Sequence, residues 1–386
     1  MSNGATEFER LQESLSSGGV DGLLDGLVQE LSQQNRFHDL FSAKQLQLRR
    51  QLNLPLSFSG DDDDVPENQV EKWEEGMMEI CQEVGKSALE AGQIREGWMY
   101  LRPAGARDKA QELIGKIEPD DENMDEMVEV LLQEGLDVKR GFSLVLDNFG
   151  TCNAITTFES QVLQQDKNDQ QIAAELLLKH VHEDLVSSVK ADIAQQEDQE
   201  PAADNLAELI GEREWLFGEH SYHLDTTHLA STVRFARLLE DESLLRIAVD
   251  LTEYGKRLSS QFQYDGDEPF ADLYPSHALY FQAIIGENVE EALKYFREKA
   301  ESIDAYEEGT MAVEIYIELL DRLGRTQEAI DAMVKMVPDN THLMGVAPSL
   351  MDLSKKVDEY QSWMQFCRQR NDLVGFAAGL CMSAKS

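Results

Sequence analysis

Apolar residues recur along this chain at intervals of three and four, the spacing that gathers them on one face of an α-helix. Leu24, Leu27, Val28 and Leu31 form one such stripe. Met127, Val130 and Leu131 form another, which runs through Glu134 to a stop at Gly135, and Ile172, Leu176, Leu177, Val181, Leu185 and Val189 form a third. Runs of period two rich in Val, Ile and Thr are nearly absent, so no sheet is expected. Nine prolines (Pro55, Pro66, Pro103, Pro119, Pro201, Pro269, Pro275, Pro338 and Pro348) fall between these stripes and punctuate the helices. A short amphipathic pair cannot bury its apolar face alone, and stacking on the next pair solves this. The expected fold is therefore all-α, built of stacked antiparallel helix pairs, either as an open α/α solenoid or as an α/α toroid closed on itself.

Two polar interruptions divide the chain. Residues 57–69 carry Gly60, Pro66 and the run Asp61-Asp62-Asp63-Asp64, whose adjacent like charges resist packing. Residues 195–205 are rich in Gln, Glu and Asp around Pro201. The expected organisation is an N-terminal helical hairpin at 1–56, the acidic loop, a middle helical block at 70–194, the polar linker, and a C-terminal helical block at 206–386.

The C-terminal block repeats weakly. Val313, Tyr316, Ile317 and Leu320 stripe a first helix, Gly324 turns the chain, and Ala329 and Met333 stripe a second helix that ends before Pro338. The preceding unit has Gly286, Glu291-Ala292, Phe296 and Ala300; the following one has Val357, Tyr360, Met364 and Cys367; looser echoes occur at Gly92–Trp98 and Gly135–Phe142. The unit at 310–338 resembles the tetratricopeptide repeat: small or aromatic residues on the first helix, glycine at the turn, alanine in the Glu-Ala pair of the second, and a late proline. The resemblance implies a helical scaffold that binds a peptide or protein on a concave face.

Composition narrows the partners. Of 386 residues, 74 are Asp or Glu and 34 are Lys or Arg, a net charge of -40. Such a field repels phosphate, and Arg49-Arg50 is an isolated basic doublet, so neither nucleic acid nor an anionic membrane is expected as a partner. Cys81, Cys152, Cys367 and Cys381 are far apart, form no CxxC and sit among apolar neighbours, which predicts reduced and mostly buried thiols in a cytoplasmic setting. The stretch Met1–Glu13 lacks the basic and apolar regions of an export signal.

Candidate chemistry centres on histidine. Six of the eight histidines lie between His180 and His277, and Asp225 reads as the N-cap of a helix beginning at Thr226. That places Glu219, His220, Tyr222 and His223 in the preceding loop and His228 in the first turn, where free N–H groups suit an anion. His180 and Glu183 share one helix face, so His180, Glu183, His220 and His223 are candidate ligands for a divalent metal such as zinc, iron or nickel. No HExxH, GxGxxG, Walker A, GxSxG or EF-hand pattern occurs. Two further segments are candidates for a ligand groove, Trp98, Tyr100 and Arg102 at one helix end and the small polar stretch from Asn148 to Asn153, together with His277. Two functions are consistent with these residues. One is a helical-repeat interaction protein holding a peptide, protein or small ligand in a concave groove. The alternative is an all-α lyase or hydrolase with His223 or His228 as acid/base, Tyr222 as auxiliary and Arg102 as a carboxylate clamp. Packing supplies a plainer account of each feature, since aromatics at helical spacing mostly fill cores.

Overall fold

A computed structural model describes residues 6–56, 65–203, 205–305, 307–338, 341 and 343–384. It is 73% helical, about twice the usual share. The described residues contain no strand, only an isolated bridge between Asp265 and Asp272. The helices pack in successive pairs, as the stripes predict. The run Asp61–Asp64 falls outside the described residues. No helix among those described is long and apolar enough to cross a membrane. The chain forms two compact units, residues 1–148 and 149–386.

In the first unit α1 (Glu7–Gln33) is broken at Gly19, where φ is +65°, and packs on α2 (Phe37–Gln51). Thr6 starts α1 with a capping box: its hydroxyl accepts from the Glu9 amide while the Glu9 carboxylate accepts from the Thr6 amide. Arg49, which its sequence context marks only as one of an isolated basic doublet, is fully buried. Its Nε donates to the Pro55 carbonyl at 2.7 Å and its guanidinium lies over Trp73. Next come α3 (Val70–Glu90), α4 (Ile94–Leu101), α5 (Arg107–Ile114) and α6 (Met124–Val128). The last of these runs on as a π-helical turn over Glu129–Gln133 before α7 (Val138–Ser160).

The position of α4 is set by glycine. A Cβ on Gly85 would lie 2.9 Å from the Gly97 carbonyl oxygen, and one on Gly97 would lie 2.9 Å from that of Gly85, so α3 and α4 touch backbone to backbone. On either side of that contact α4 serves two hydrophobic clusters. Tyr100 joins Phe37, Leu40, Trp73, Val84 and Ala88. Trp98 and Leu101 join Ile94, Ile114, Met127, Val130 and Leu131. With those faces occupied, Arg95, Met99 and Arg102 are left on the remaining one.

The second unit is organised on α8 (Lys167–Glu197), capped by Asp166. Its buried face is Ala173, Ala174, Leu177, Leu178, Val181, Leu185, Val189 and Ile193. Ile172 and Leu176 are only half-buried, so the stripe is centred one residue further along than their hydrophobicity suggests. Against it pack α9 (Leu206–Ile210), α10 (Thr226–Phe235) and α11 (Glu242–Arg257). The chain continues through α12 (Leu273–Ile284), α13 (Val289–Ser302), α14 (Met311–Arg322), α15 (Thr326–Met336), α16 (Leu350–Val357), α17 (Gln361–Gln369) and α18 (Leu373–Ser383), each packed on the one before. The 310–338 unit is a helix pair, with Gly324 at φ +73° between α14 and α15, and Val313, Tyr316, Ile317, Leu320, Ala329 and Met333 are all buried.

One carboxylate inside this stack has a structural task. Glu314 on α14 is fully buried and accepts from the Thr310 hydroxyl at 2.5 Å and from the amides of Met344, Val346 and Ala347 at 2.7, 2.9 and 3.4 Å. Four donors offset the cost of burying the charge and pin the segment before α16 to α14. The thiols depart from expectation. All four are free, but only Cys367 is buried; Cys81 is half-buried and Cys152 and Cys381 are exposed. Cys152 follows the break in α7 at Gly150, and α18, which carries Cys381, buries only Gly379.

Candidate functional site

The histidine segment folds as its sequence predicts. Asp225 caps α10, accepting from the amides of Thr227 and His228; the Thr227 hydroxyl, which donates to it at 2.6 Å, and then these amides hold its carboxyl below the usual range. His220 and His223 lie in the loop before the helix and His228 in its first turn. The His223 side chain is 6% exposed and fully engaged. Its backbone amide donates to the Tyr254 hydroxyl at 2.9 Å, that hydroxyl donates back to Nδ1 at 2.9 Å, and Nε2 donates to Asp192 at 3.1 Å. Tyr254 is completely buried, which pushes its hydroxyl up to about 12 and makes it a poor acid. The network closes on itself and staples the loop to α8 and α11.

The other candidates in this unit are dispersed. His223 meets α8 at Asp192, two turns and more beyond Glu183. His180 instead contacts the Thr151 hydroxyl at 3.1 Å and Asp184 at 3.4 Å. Glu183 is exposed, and His220 approaches only the Gln261 amide, at 3.3 Å. No group of three or more His, Cys, Asp or Glu among the described residues is placed to hold a metal ion. Tyr222 is exposed and rests edge-on against Phe262. Asn153 donates to the carbonyl of Phe149 at 2.7 Å, four residues back in its own helix. His277 is buried, stacks on Phe270 and donates from Nδ1 to the Leu273 carbonyl at 2.7 Å, leaving Nε2 without a partner. Burial, then the nearby Arg237 charge, lowers its imidazole to about 3.

The first unit holds Trp98, Tyr100, Arg102 and Asn148. Asn148 donates to Leu144, again within its helix. Trp98 and Tyr100 belong to α4 and Arg102 stands at its C-terminal cap, beside an open groove of about 480 Å³. Trp98, Met99 and Val130 line it, and Met99 is 47% exposed, unusual for a residue so close to two cores. Ion pairs stand along the same groove. Arg95 grips Glu129 with Nε at 3.0 Å and Nη2 at 2.5 Å and has Glu126 at 3.6 Å; Arg102 pairs with Glu134. The Glu129 hydrogen bond holds the Arg95 guanidinium above its ordinary value, and Arg95 holds the Glu129 carboxyl below its own. The opposing wall is the π-helical turn, a rare geometry often found at functional sites. The Trp98 ring is almost wholly buried and its indole N–H has no hydrogen-bond partner.

No family model, no curated protein and no solved structure matches this chain.

Two groove residues escaped sequence reasoning. His38 on α2 brings Nδ1 to 2.7 Å from the Tyr100 hydroxyl and Nε2 to 3.3 Å from Glu96. With the ring proton on Nε2, facing Glu96, the tyrosine donates to Nδ1. Burial pushes Tyr100 up to about 12, so it anchors the imidazole rather than ionising. Sixty-two residues separate His38 from Tyr100, too far for any local pattern to join them. The second is Met99. It completes an i, i+3, i+4, i+7 face with Arg95, Trp98 and Arg102, and that spacing was visible in the sequence.

Proposed function

We propose that this protein is a helical-repeat interaction scaffold of the tetratricopeptide-like kind, and that the groove beside α4 in its first unit receives a segment of a partner polypeptide. The observation that carries this reading is Met99: a half-exposed apolar side chain between Arg95 and Arg102, on a floor shared with Trp98 and Val130. Grooves that bind peptides combine an apolar floor with polar groups that fix orientation. The groove is open rather than enclosed, which suits a chain passing across it more than a small molecule held within it. His223, one of the two acid/base candidates, spends both ring nitrogens on Asp192 and Tyr254, which supports a structural role for it.

The test is an unbiased one. A random-sequence peptide library displayed on phage is selected against the full chain, and winners are re-measured against Met99→Glu. A surface substitution of this kind should leave helix content and melting temperature nearly unchanged. Selected peptides that lose binding to Met99→Glu support the groove. Peptides that bind both proteins equally, or a selection yielding none, would refute it.

A further inference from the structure

The charge around this groove points to the chemistry of what lies in it; the inference rests on the peptide reading above. Four carboxylates, Glu96, Glu126, Glu129 and Glu134, face two guanidinium groups, Arg95 and Arg102, an excess of two negative charges. The chain adds a field of -40. Both arginines are spent on their glutamates, and both reach them from a helix face more than half exposed. Seven residues of helix set the two arginines about 10 Å apart. The groove therefore already holds two cations flanking an apolar centre, in the form of its own Arg95 and Arg102 either side of Met99. We propose that these side chains stand in for the ligand, and that the groove takes a polypeptide segment with two basic residues flanking apolar ones. In the complex the segment's cations occupy Glu126, Glu129 and Glu134 in exchange for the two arginines, and its apolar residues cover Met99.

An exposed ion pair holds its partners weakly, so the exchange is cheap for the protein. In a polyproline-II-like peptide, with three residues per turn, two basic residues three positions apart lie on one face about 9 Å apart, close to the arginine spacing. An acidic segment would meet the surplus glutamates and the field of the whole chain.

The competitor role gives a prediction of unusual sign. Three fluorescein-labelled peptides, Gly-Lys-Leu-Phe-Lys-Gly and its versions with Gln or Glu in place of both Lys, are titrated into the full chain by fluorescence anisotropy. The Lys peptide should bind best, roughly tenfold tighter than the Gln peptide, with affinity falling as salt rises. The double variant Arg95→Ala/Arg102→Ala should tighten binding of the Lys peptide severalfold, because it removes the built-in competitors. Glu129→Gln/Glu134→Gln should weaken it to the level of the Gln peptide. Melting temperatures of both double variants monitor folding, and the salt dependence of the unaltered protein stands without them. Preference for the Glu peptide, or weaker binding after arginine removal, would overturn the inference and leave the groove reading intact. So would failure of all three peptides alongside library peptides that depend on Met99. If the library also yields nothing, the groove reading falls with it.

Discussion

His277 should make the second unit sensitive to mild acid, and the size of the effect follows from its surroundings. The ring is 1% exposed, stacked on Phe270 with centroids 4.1 Å apart, and faced by the positive charges of Arg237 and Arg234. Burial comes first and Arg237 second in lowering it from an ordinary 6.5 to about 3. In the unfolded chain it takes up a proton near 6.5; in the folded chain it stays neutral until about 3. Below 6.5 the unfolded state therefore binds more protons, and stability falls with falling pH until the folded ring titrates as well. A gap of this size is worth about 5 kcal/mol in full, of which about 2 kcal/mol is lost by about pH 5. His277→Leu keeps a similar volume and cannot titrate. It forfeits the bond to the Leu273 carbonyl, at a cost of about 1 kcal/mol that does not vary with pH. Urea unfolding of both proteins at about pH 7.5 and about pH 5 isolates the effect, because the many carboxylates are common to both. The unaltered protein should lose about 2 kcal/mol more than the variant between those pH values. Parallel losses within about 0.5 kcal/mol, or an imidazole resonance of the folded protein titrating near its ordinary value, would refute the reasoning.

His223→Ala removes the ring acceptor of the buried Tyr254 hydroxyl and unfastens the loop from Asp192, so the urea midpoint should fall by an amount corresponding to about 1–3 kcal/mol; an unchanged midpoint would show the staple to be idle. Glu314→Gln keeps the shape but weakens the hold on the amides of Met344 and Val346, which should exchange hydrogen faster by roughly tenfold or more. Equal protection in the two proteins would place the anchor of that segment elsewhere. Gly97→Ala sets helix propensity, which favours alanine by about 1 kcal/mol, against a collision with the Gly85 carbonyl that costs about 1–3 kcal/mol. The melting temperature should drop, and a rise would mean that the two helices can move apart freely.

Periodicity told which residues are buried, and it did so well where one face met one neighbour. The stripe from Val313 to Leu320, the turn at Gly324 and the cap at Asp225 stand where their spacing placed them. Pairing is a different kind of information. Nothing local joins His38 to Tyr100, Arg95 to Glu129 or His223 to Asp192, because each contact depends on how two helices cross. The density of histidine between His180 and His277 suggested a shared site, whereas His180, midway along α8, turns to Thr151 and His223 reaches Asp192 about three turns further on. Glu314 did leave a trace, a charge set between Val313 and Ile315 in the apolar first half of α14, but its amide partners lie about thirty residues further on.

The meeting of Gly85 and Gly97 bears on how this sequence can drift. Each glycine occupies the room that the other's carbonyl leaves, so enlarging one cannot be compensated by shrinking the other: neither has anything left to remove. Most core positions trade volume with their neighbours, and a lost methylene here can be recovered there. This crossing has no such exchange. Because α4 carries the groove side chains, a scan of all substitutions should find these two positions the least tolerant of the crossing, alanine the mildest change and larger side chains unfolding it, while Arg95 and Arg102 between and beyond them tolerate most changes in folding and differ only in what the groove then binds.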